Sequence, residues 1–354
     1  MTHENSSENI NRLHPEINSH YKKFKKPLPD ADRFIKEIRA GNREYLSRAI
    51  TLIESSSPSV RKLADEIVRK ALAYSGRSFR VGITGVPGVG KSTFIDKLGM
   101  NFIERGHRVA VLAIDPSSAL NKGSILGDKT RMNNLSKSDR AFIRPSPAGG
   151  HLGGVGRKTR ESIILCEAAG YDRILVETVG VGQSEIYVHS MTDLFLLLKL
   201  PGAGDELQGI KRGVMEMADM IIINKADGEL KDEARKAVQI FKNALYYFTF
   251  RNTDEIDVMA VSSMENSGIE QVAELLEKKY KHLLESGRLE EKRTEQLVFW
   301  FEESLNELFR NYFEGNQLLR AERNLLLDRI KQKKITPFEA ASKLWDLFIE
   351  NSER

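Results

Sequence analysis

The sequence predicts an α/β fold, a doubly wound and mostly parallel sheet flanked by N-terminal and C-terminal helical segments. Three observations carry that expectation. Seven short apolar runs alternate with helical patterns between Phe79 and Val261, a glycine-rich turn joins the first run to a helix, and both ends of the chain show helical spacing. Runs this dense in Val, Ile and Leu, separated by helices, belong to a parallel sheet covered on both faces. Such sheets bind ligands at the carboxyl ends of their strands, so the loops after the runs are where chemistry is expected.

The elements follow in order. Residues 1–29, rich in Asn, Ser, Glu and Lys, read as a disordered tail ending at Pro27 and Pro29. Within it, Tyr21-Lys22-Lys23-Phe24-Lys25-Lys26 is too short and isolated to favour a binding patch over a solvated tail. Residues 30–76 form a helical lead-in. Phe34, Ile35 and Ile38 make one apolar stripe, Gly41 interrupts, and Tyr45, Leu46, Ala49, Ile50 and Ile53 make the next. Ser57-Pro58 marks a third start, an N-cap with proline at the first helical position.

Residues 77–285 carry the runs Phe79–Thr84, Val109–Ile114, Ala141–Arg144, Ile174–Glu177, Leu194–Leu198, Met220–Ile223 and Val258–Val261. Residues 286–354 return to helix. Leu297, Phe301, Leu305, Leu308 and Tyr312 share one face, and Thr336-Pro337-Phe338-Glu339 is a capping box opening a last helix. The aromatics Phe299, Trp300, Phe301, Phe309, Tyr312 and Phe313 favour helix packing over a cofactor box. Their spread over more than one face points to a partner surface, such as a second copy of the chain.

Composition removes several classes. With 40% hydrophobic residues in 354, the chain can bury a core without crosslinks, and its single cysteine, Cys166, excludes a disulfide framework. The balance of 54 basic against 50 acidic residues, net +4, is too even to make nucleic acid the expected partner. No run reaches the ~20 apolar residues of a membrane span. The N-terminus carries Glu4, Glu8 and Glu16 and lacks an apolar signal region, so a cytoplasmic location is expected.

The strongest signal is Gly85-Val86-Pro87-Gly88-Val89-Gly90-Lys91-Ser92-Thr93, between an apolar run and a helical stretch. It fits G-x-x-x-x-G-K-[ST], a P-loop: backbone N–H groups turn inward around phosphate oxygens at a helix N-terminus. In that setting Lys91 reaches the β- and γ-phosphates and the Ser92 hydroxyl ligates magnesium.

A second motif, Asn224-Lys225-Ala226-Asp227, stands at the exit of the sixth run. Guanine offers two donors, N1–H and N2–H₂, where adenine offers one donor and one acceptor. A carboxylate accepts both of guanine's bonds, so Asp227 is the expected base reader, with the Lys225 stem along the base. One strand later, Ser262, Ser263 and then Met264 occupy the place where backbone amides would brace the base. Together the motifs select GTP and GDP over ATP.

Acids reach the phosphates from two strands. Glu177 opens Glu177-Thr178-Val179-Gly180, and Asp115 opens Asp115-Pro116-Ser117-Ser118, with Asp128 in the following loop. A hard cation that keeps its waters needs one or two carboxylates, so Asp115, Asp128 and Glu177 join Ser92 as candidate magnesium ligands. Val181 follows Gly180 where Ras-like enzymes carry a water-orienting glutamine; Gln183 lies two residues further on. The segment Gly149–Gly156 reads equally as a nucleotide-responsive stretch or as a flexible loop into a helix at Glu161. His151 within it has no second histidine or cysteine at ligand spacing.

These strings resemble one family. The P-loop, Asp115–Ser118, Ser124–Met132, Glu177–Glu185, Pro201–Lys211 and Asn224–Asp227 together look like the MeaB/ArgK-type GTPases, the family of the methylmalonic aciduria type A protein. The resemblance implies a GTP-hydrolysing chaperone that gates cofactor loading and protects an adenosylcobalamin-dependent acyl-CoA mutase, usually methylmalonyl-CoA mutase. It also implies a homodimer built through the C-terminal arm and a third nucleotide-responsive loop at Pro201–Lys211. Lys91, Glu177, Gln183 and Lys211 are then the expected catalytic set. Residues 1–29 extend beyond the family core. The family's older description as a lysine/arginine/ornithine transport kinase supplies a rival reading, a phosphotransferase. A nickel-delivery GTPase would need Cys/His clusters that one cysteine makes improbable.

Overall fold

The computed structural model describes residues 28–55, 57–115, 132–147, 152–178, 184–202, 212–248 and 256–352. Seven strands, β1 (Phe79–Gly85), β2 (Val109–Asp115), β3 (Ala141–Pro147), β4 (Arg173–Thr178), β5 (Leu194–Lys199), β6 (Met220–Ile223) and β7 (Asp257–Ala260), form one sheet in the order β3-β2-β4-β1-β5-β6-β7. Every pair is parallel. Each apolar run is a strand, and none of their boundaries moves by more than about one turn of chain. The expected fold class is the observed one.

Alternation along the strands sorts their side chains to two faces. Phe79, Val81, Ile83, Leu196 and Leu198 are buried beneath helices α4 (Lys91–Glu104) and α9 (Ile269–Glu285). The other face, with Ala110, Leu112, Ile174, Val176 and Phe195, is covered by α5 (Leu152–Ala168), α6 (Ser184–His189) and the N-terminal helices. Towards β7, the same face meets α7 (Arg212–Glu216) and α8 (Lys231–Phe248). Cys166 is a buried hydrophobe whose thiol pKa is raised by that burial.

The lead-in comprises α1 (Ala31–Arg39), α2 (Arg43–Glu54) and α3 (Pro58–Ala71). Asp30 caps α1 through Arg33 N at 2.8 Å, and Asn42 caps α2 through Glu44 N at 3.1 Å. Ser57 departs from expectation: its hydroxyl pairs with Ser59 Oγ at 2.8 Å, and Pro58 alone sets the start of α3. These helices are part of the core. Phe34, Ile38, Leu46 and Ile50 pack towards α5, Arg144 of β3 pairs with Glu54, and Lys158 Nζ donates to Glu54 O at 2.9 Å.

The chain ends in α10 (Arg288–Gly315), α11 (Gln317–Lys331) and α12 (Pro337–Ser352). Thr336 Oγ1 accepts from Glu339 N at 3.2 Å, as the capping box requires. The aromatic stripe divides. Trp300 is buried and Phe299 packs beside it, whereas Leu297, Phe301 and Leu308 are 59%, 64% and 63% exposed. Polar bonds fasten the root of α10 to the sheet. Arg293 grips the fully buried Asp193 at 2.8–2.9 Å and Ser78 O at 2.6 Å, and Gln296 Nε2 donates to Thr192 O at 2.8 Å. Among the described residues no helix is long and apolar enough to cross a membrane.

Candidate nucleotide site

The turn from β1 into α4 is possible only with glycine. Gly88 and Gly90 have φ of +80° and +94°, where a Cβ is strained. At Gly90 a Cβ would also stand 2.7 Å from Asn224 Nδ2. Lys91 opens α4 with its side chain folded over the loop; its Nζ donates to Gly85 O at 2.7 Å and Val86 O at 3.3 Å. Ser92 Oγ donates to Glu177 Oε1 at 3.3 Å, and Glu177 is 8% exposed at the tip of β4. Beside it, Thr178 Oγ1 and Thr84 Oγ1 lie 2.8 Å apart, tying the strand tips together.

A cavity of about 270 Å³ opens there, lined by Pro87, Gly88 and Gly90 to Thr93 of the loop, by Ala113 and Ile114 of β2, and by Glu177 and Thr178. Its lining of loop backbone, hydroxyls, Lys91 and a carboxylate suits phosphates and a cation, and neither Asn224 nor Asp227 lines it. The hydroxyl of Ser92 and the carboxylate of Glu177 fit a hard cation in kind, both being oxygen donors on rigid elements. The Asp115 side chain, together with Asp128, Gln183, Lys211 and His151, lies outside the described residues. Among those described, no group of three or more His, Cys, Asp or Glu is placed to hold a metal.

The residues expected to read the base gather beyond the P-loop. Asn224 is a staple: its Nδ2 donates to Val89 O at 2.9 Å, and its Oδ1 accepts from Ser263 Oγ at 2.7 Å and Ser263 N at 3.2 Å. Ser262 Oγ donates to Asp227 Oδ2 at 2.5 Å and accepts from Glu265 N at 3.0 Å. Lys225, with φ of 61°, turns the chain between Asn224 and Asp227. The Ser262 and Ser263 amides, expected to brace the base, bond Ser267 O at 2.9 Å and Asn224 Oδ1 at 3.2 Å, and the two serine hydroxyls bond Asp227 and Asn224. Met264, 84% exposed, stands out from the surface beside them.

A correction concerns the glycine-rich segment. Helix α5 begins at Leu152, well before Glu161, and takes in Gly153, Gly154 and Gly156. Helix propensity disfavours such a start, and tertiary packing overrides it. A Cβ on Gly156 would lie 2.4 Å from the Trp300 ring. Asp96 was not legible as a functional candidate. Buried on α4, it accepts from Asn134 N, Asn134 Nδ2 and Leu135 N at 2.7–3.0 Å, holding the chain after residue 131 to the P-loop helix.

Comparison with known proteins turns this geometry into a family. The family described as methylmalonyl Co-A mutase-associated GTPase MeaB matches residues 46–317. The chain belongs to the MeaB family. Its relatives include a probable GTPase of Mycobacterium tuberculosis, 46% identical over 88% of this chain and 93% of that protein. GTPase ArgK of Escherichia coli is 44% identical over 86% and 95%. The mitochondrial methylmalonic aciduria type A homolog of Mus musculus is 42% identical over 90% and 79%. A crystal structure described as LAO/AO transport system kinase superposes with a TM-score of 0.73 at 34% identity, covering 90% of this chain and 97% of that one. As a MeaB-family member the chain is a GTPase and binds guanine nucleotide.

Proposed function

We propose that this MeaB-family GTPase is the nucleotide-gated chaperone of an adenosylcobalamin-dependent acyl-CoA mutase, methylmalonyl-CoA mutase foremost, acting in the cytoplasm as a homodimer. The observation that carries the reading is the joining of a guanine-nucleotide site to a helical arm with an exposed apolar face, Leu297, Phe301, Leu305 and Leu308. An exposed apolar face on a terminal helix marks a contact with another protein, a client or a second copy of the chain. The family description and the mouse relative's name support the mutase as client. The division into a tail (1–29), lead-in (30–76), GTPase domain (77–285) and dimerisation arm (286–354) is part of the proposal. The arm beyond Ser304 then serves as the seam between copies.

In this reading the P-loop amides and Lys91 hold the phosphates, and Lys91 leaves its carbonyl partners for the β- and γ-oxygens. Asp227, fixed by Ser262, accepts from guanine, and Asn224 locks the base-reading loop to the phosphate loop. Magnesium, when bound, neutralises charge on the β- and γ-phosphates; Ser92 and Glu177 would hold it, with Asp115 and Asp128 from the sequence. Water attacks the γ-phosphorus, the bond to the β–γ bridging oxygen breaks, and GDP and phosphate leave.

Val181 cannot orient the attacking water, so intrinsic turnover should fall well below the roughly 1 s⁻¹ of a phosphotransferase. Adding a cobalamin mutase should raise it. Fast hydrolysis by the isolated chain, indifferent to any mutase, refutes the chaperone reading. The transport-kinase alternative predicts a phosphorylated protein instead of free phosphate, and product analysis separates the two.

A further inference from the structure

Helix α10 has two faces with different neighbours. One carries the exposed apolar residues of the arm. The other meets both helices that follow, in sequence, the loops leaving β3 and β4 on the nucleotide side. Trp300 rests on Gly156 in the second turn of α5, where a methyl group would come within 2.4 Å of the indole and 3.1 Å of the Tyr187 ring. Tyr187, on α6, lies with its ring centroid 6.0 Å from Trp300 and 6.3 Å from Phe299, and its hydroxyl donates to Glu303 Oε2 at 3.0 Å. The Arg160 guanidinium stands 5.8 Å over the Trp300 ring, and its buried Nη1 has no hydrogen-bond partner among the described residues. The indole N–H donates to Ser190 O at 3.1 Å, just past the end of α6.

We propose that Trp300, seated between Gly156 and Tyr187, is the relay through which bound guanine nucleotide sets the position of the arm, and through which an occupant of the arm feeds back on nucleotide affinity. The inference rests on guanine-nucleotide binding and is independent of the mutase. Glu177 and Thr178, which line the phosphate cavity, end the strand that leads to α6. Arg293 and Gln296 hold the root of α10 to buried backbone and to Asp193, which gives the helix a fulcrum. The seat of Trp300 on Gly156 is a narrow contact, whereas from Trp300 to Gly315 the helix runs on for about 22 Å at 1.5 Å per residue. A tilt of about 5° at the relay moves the far end by about 2 Å over that length. Linkage makes the coupling reciprocal: whatever factor nucleotide applies to the arm's affinity for its occupant, the occupant applies to the nucleotide.

The test uses the full chain with Trp345→Phe, which leaves Trp300 as the sole tryptophan. Its emission is recorded nucleotide-free, with GDP and with a non-hydrolysable GTP analogue, while calorimetry measures binding separately. The relay predicts distinct emission in the two nucleotide states. It also predicts a reduced difference in Tyr187→Phe, which removes one hydroxyl, and in Gly156→Ala. A tryptophan that is only a packing residue gives the same emission with either nucleotide; that result, with binding intact by calorimetry, overturns the relay and leaves the GTPase reading standing. A difference undiminished in both variants also overturns it. Loss of nucleotide binding in the unmutated chain, titrated alongside, would remove both readings.

Discussion

Asp227→Asn probes the base site most sharply, because the neighbouring serine dictates what the new amide can do. Ser262 Oγ accepts from Glu265 N, so its proton goes to Asp227 Oδ2. In the variant that proton still requires an acceptor, which fixes the amide oxygen on Ser262 and turns the NH₂ to where Oδ1 faced the base. One guanine donor then loses a bond to a charged acceptor, worth about 1.5–3 kcal/mol, and a donor is left unpaired at about 1–3 kcal/mol. The sum, about 2.5 kcal/mol at its lower end, lowers GTP affinity by about 60-fold. Xanthosine triphosphate carries a carbonyl in place of the 2-amino group, accepts from the new NH₂, and should bind better than GTP. Adding Ser262→Ala releases the amide, so discrimination between the two bases should narrow. Calorimetric titration of all three proteins with GTP, XTP and ATP reads the outcome. Equal losses for GTP and ATP, or no gain for XTP, would refute Asp227 as the guanine reader.

Other outcomes follow from the same geometry. Gly90→Ala forces a side chain into φ of +94° and against Asn224, so stability should fall by about 1–3 kcal/mol and nucleotide affinity with it, seen by denaturant titration and by calorimetry. Arg293→Ala strands the buried Asp193 carboxylate and should destabilise by about 3–5 kcal/mol; an unchanged melting temperature would contradict that. Truncation after Ser304 keeps the fastened root of α10 and should yield a monomer by light scattering with nucleotide binding intact, whereas a persistent dimer would place the seam elsewhere. Ser92→Ala should weaken nucleotide binding much more in magnesium than in EDTA; equal effects would remove Ser92 from the cation site.

Most of the sheet was legible because buried parallel strands announce themselves as apolar runs, unbroken in Val109–Ile114 and Met220–Ile223. The P-loop and the Asn224–Asp227 string were legible as motifs because their signature is local. The rest depended on partners far along the chain. Arg293 and Asp193 are 100 residues apart, and nothing near either foretells the pair. The buried side of α10 contains Gln296 and Trp300, one of them polar, while the more hydrophobic spacing of Leu297, Phe301, Leu305 and Leu308 faces outward. Periodicity therefore located a stripe without saying what it faces. Gly156 misled for a related reason: glycine reads as a loop until the ring it accommodates is known.

The bond from Asn224 to Val89 has a kinetic meaning. Because the loop proposed to hold guanine is stapled to the loop proposed to hold phosphate, a nucleotide bound in this way is gripped at both ends by what is mechanically one piece. Release of either end leaves the other at high effective concentration, and rebinding outruns escape. Residence time is then set by the chance of both grips opening together. A partner that distorts the staple from one side loosens both grips at once, so an exchange factor need never touch the base and the phosphates separately.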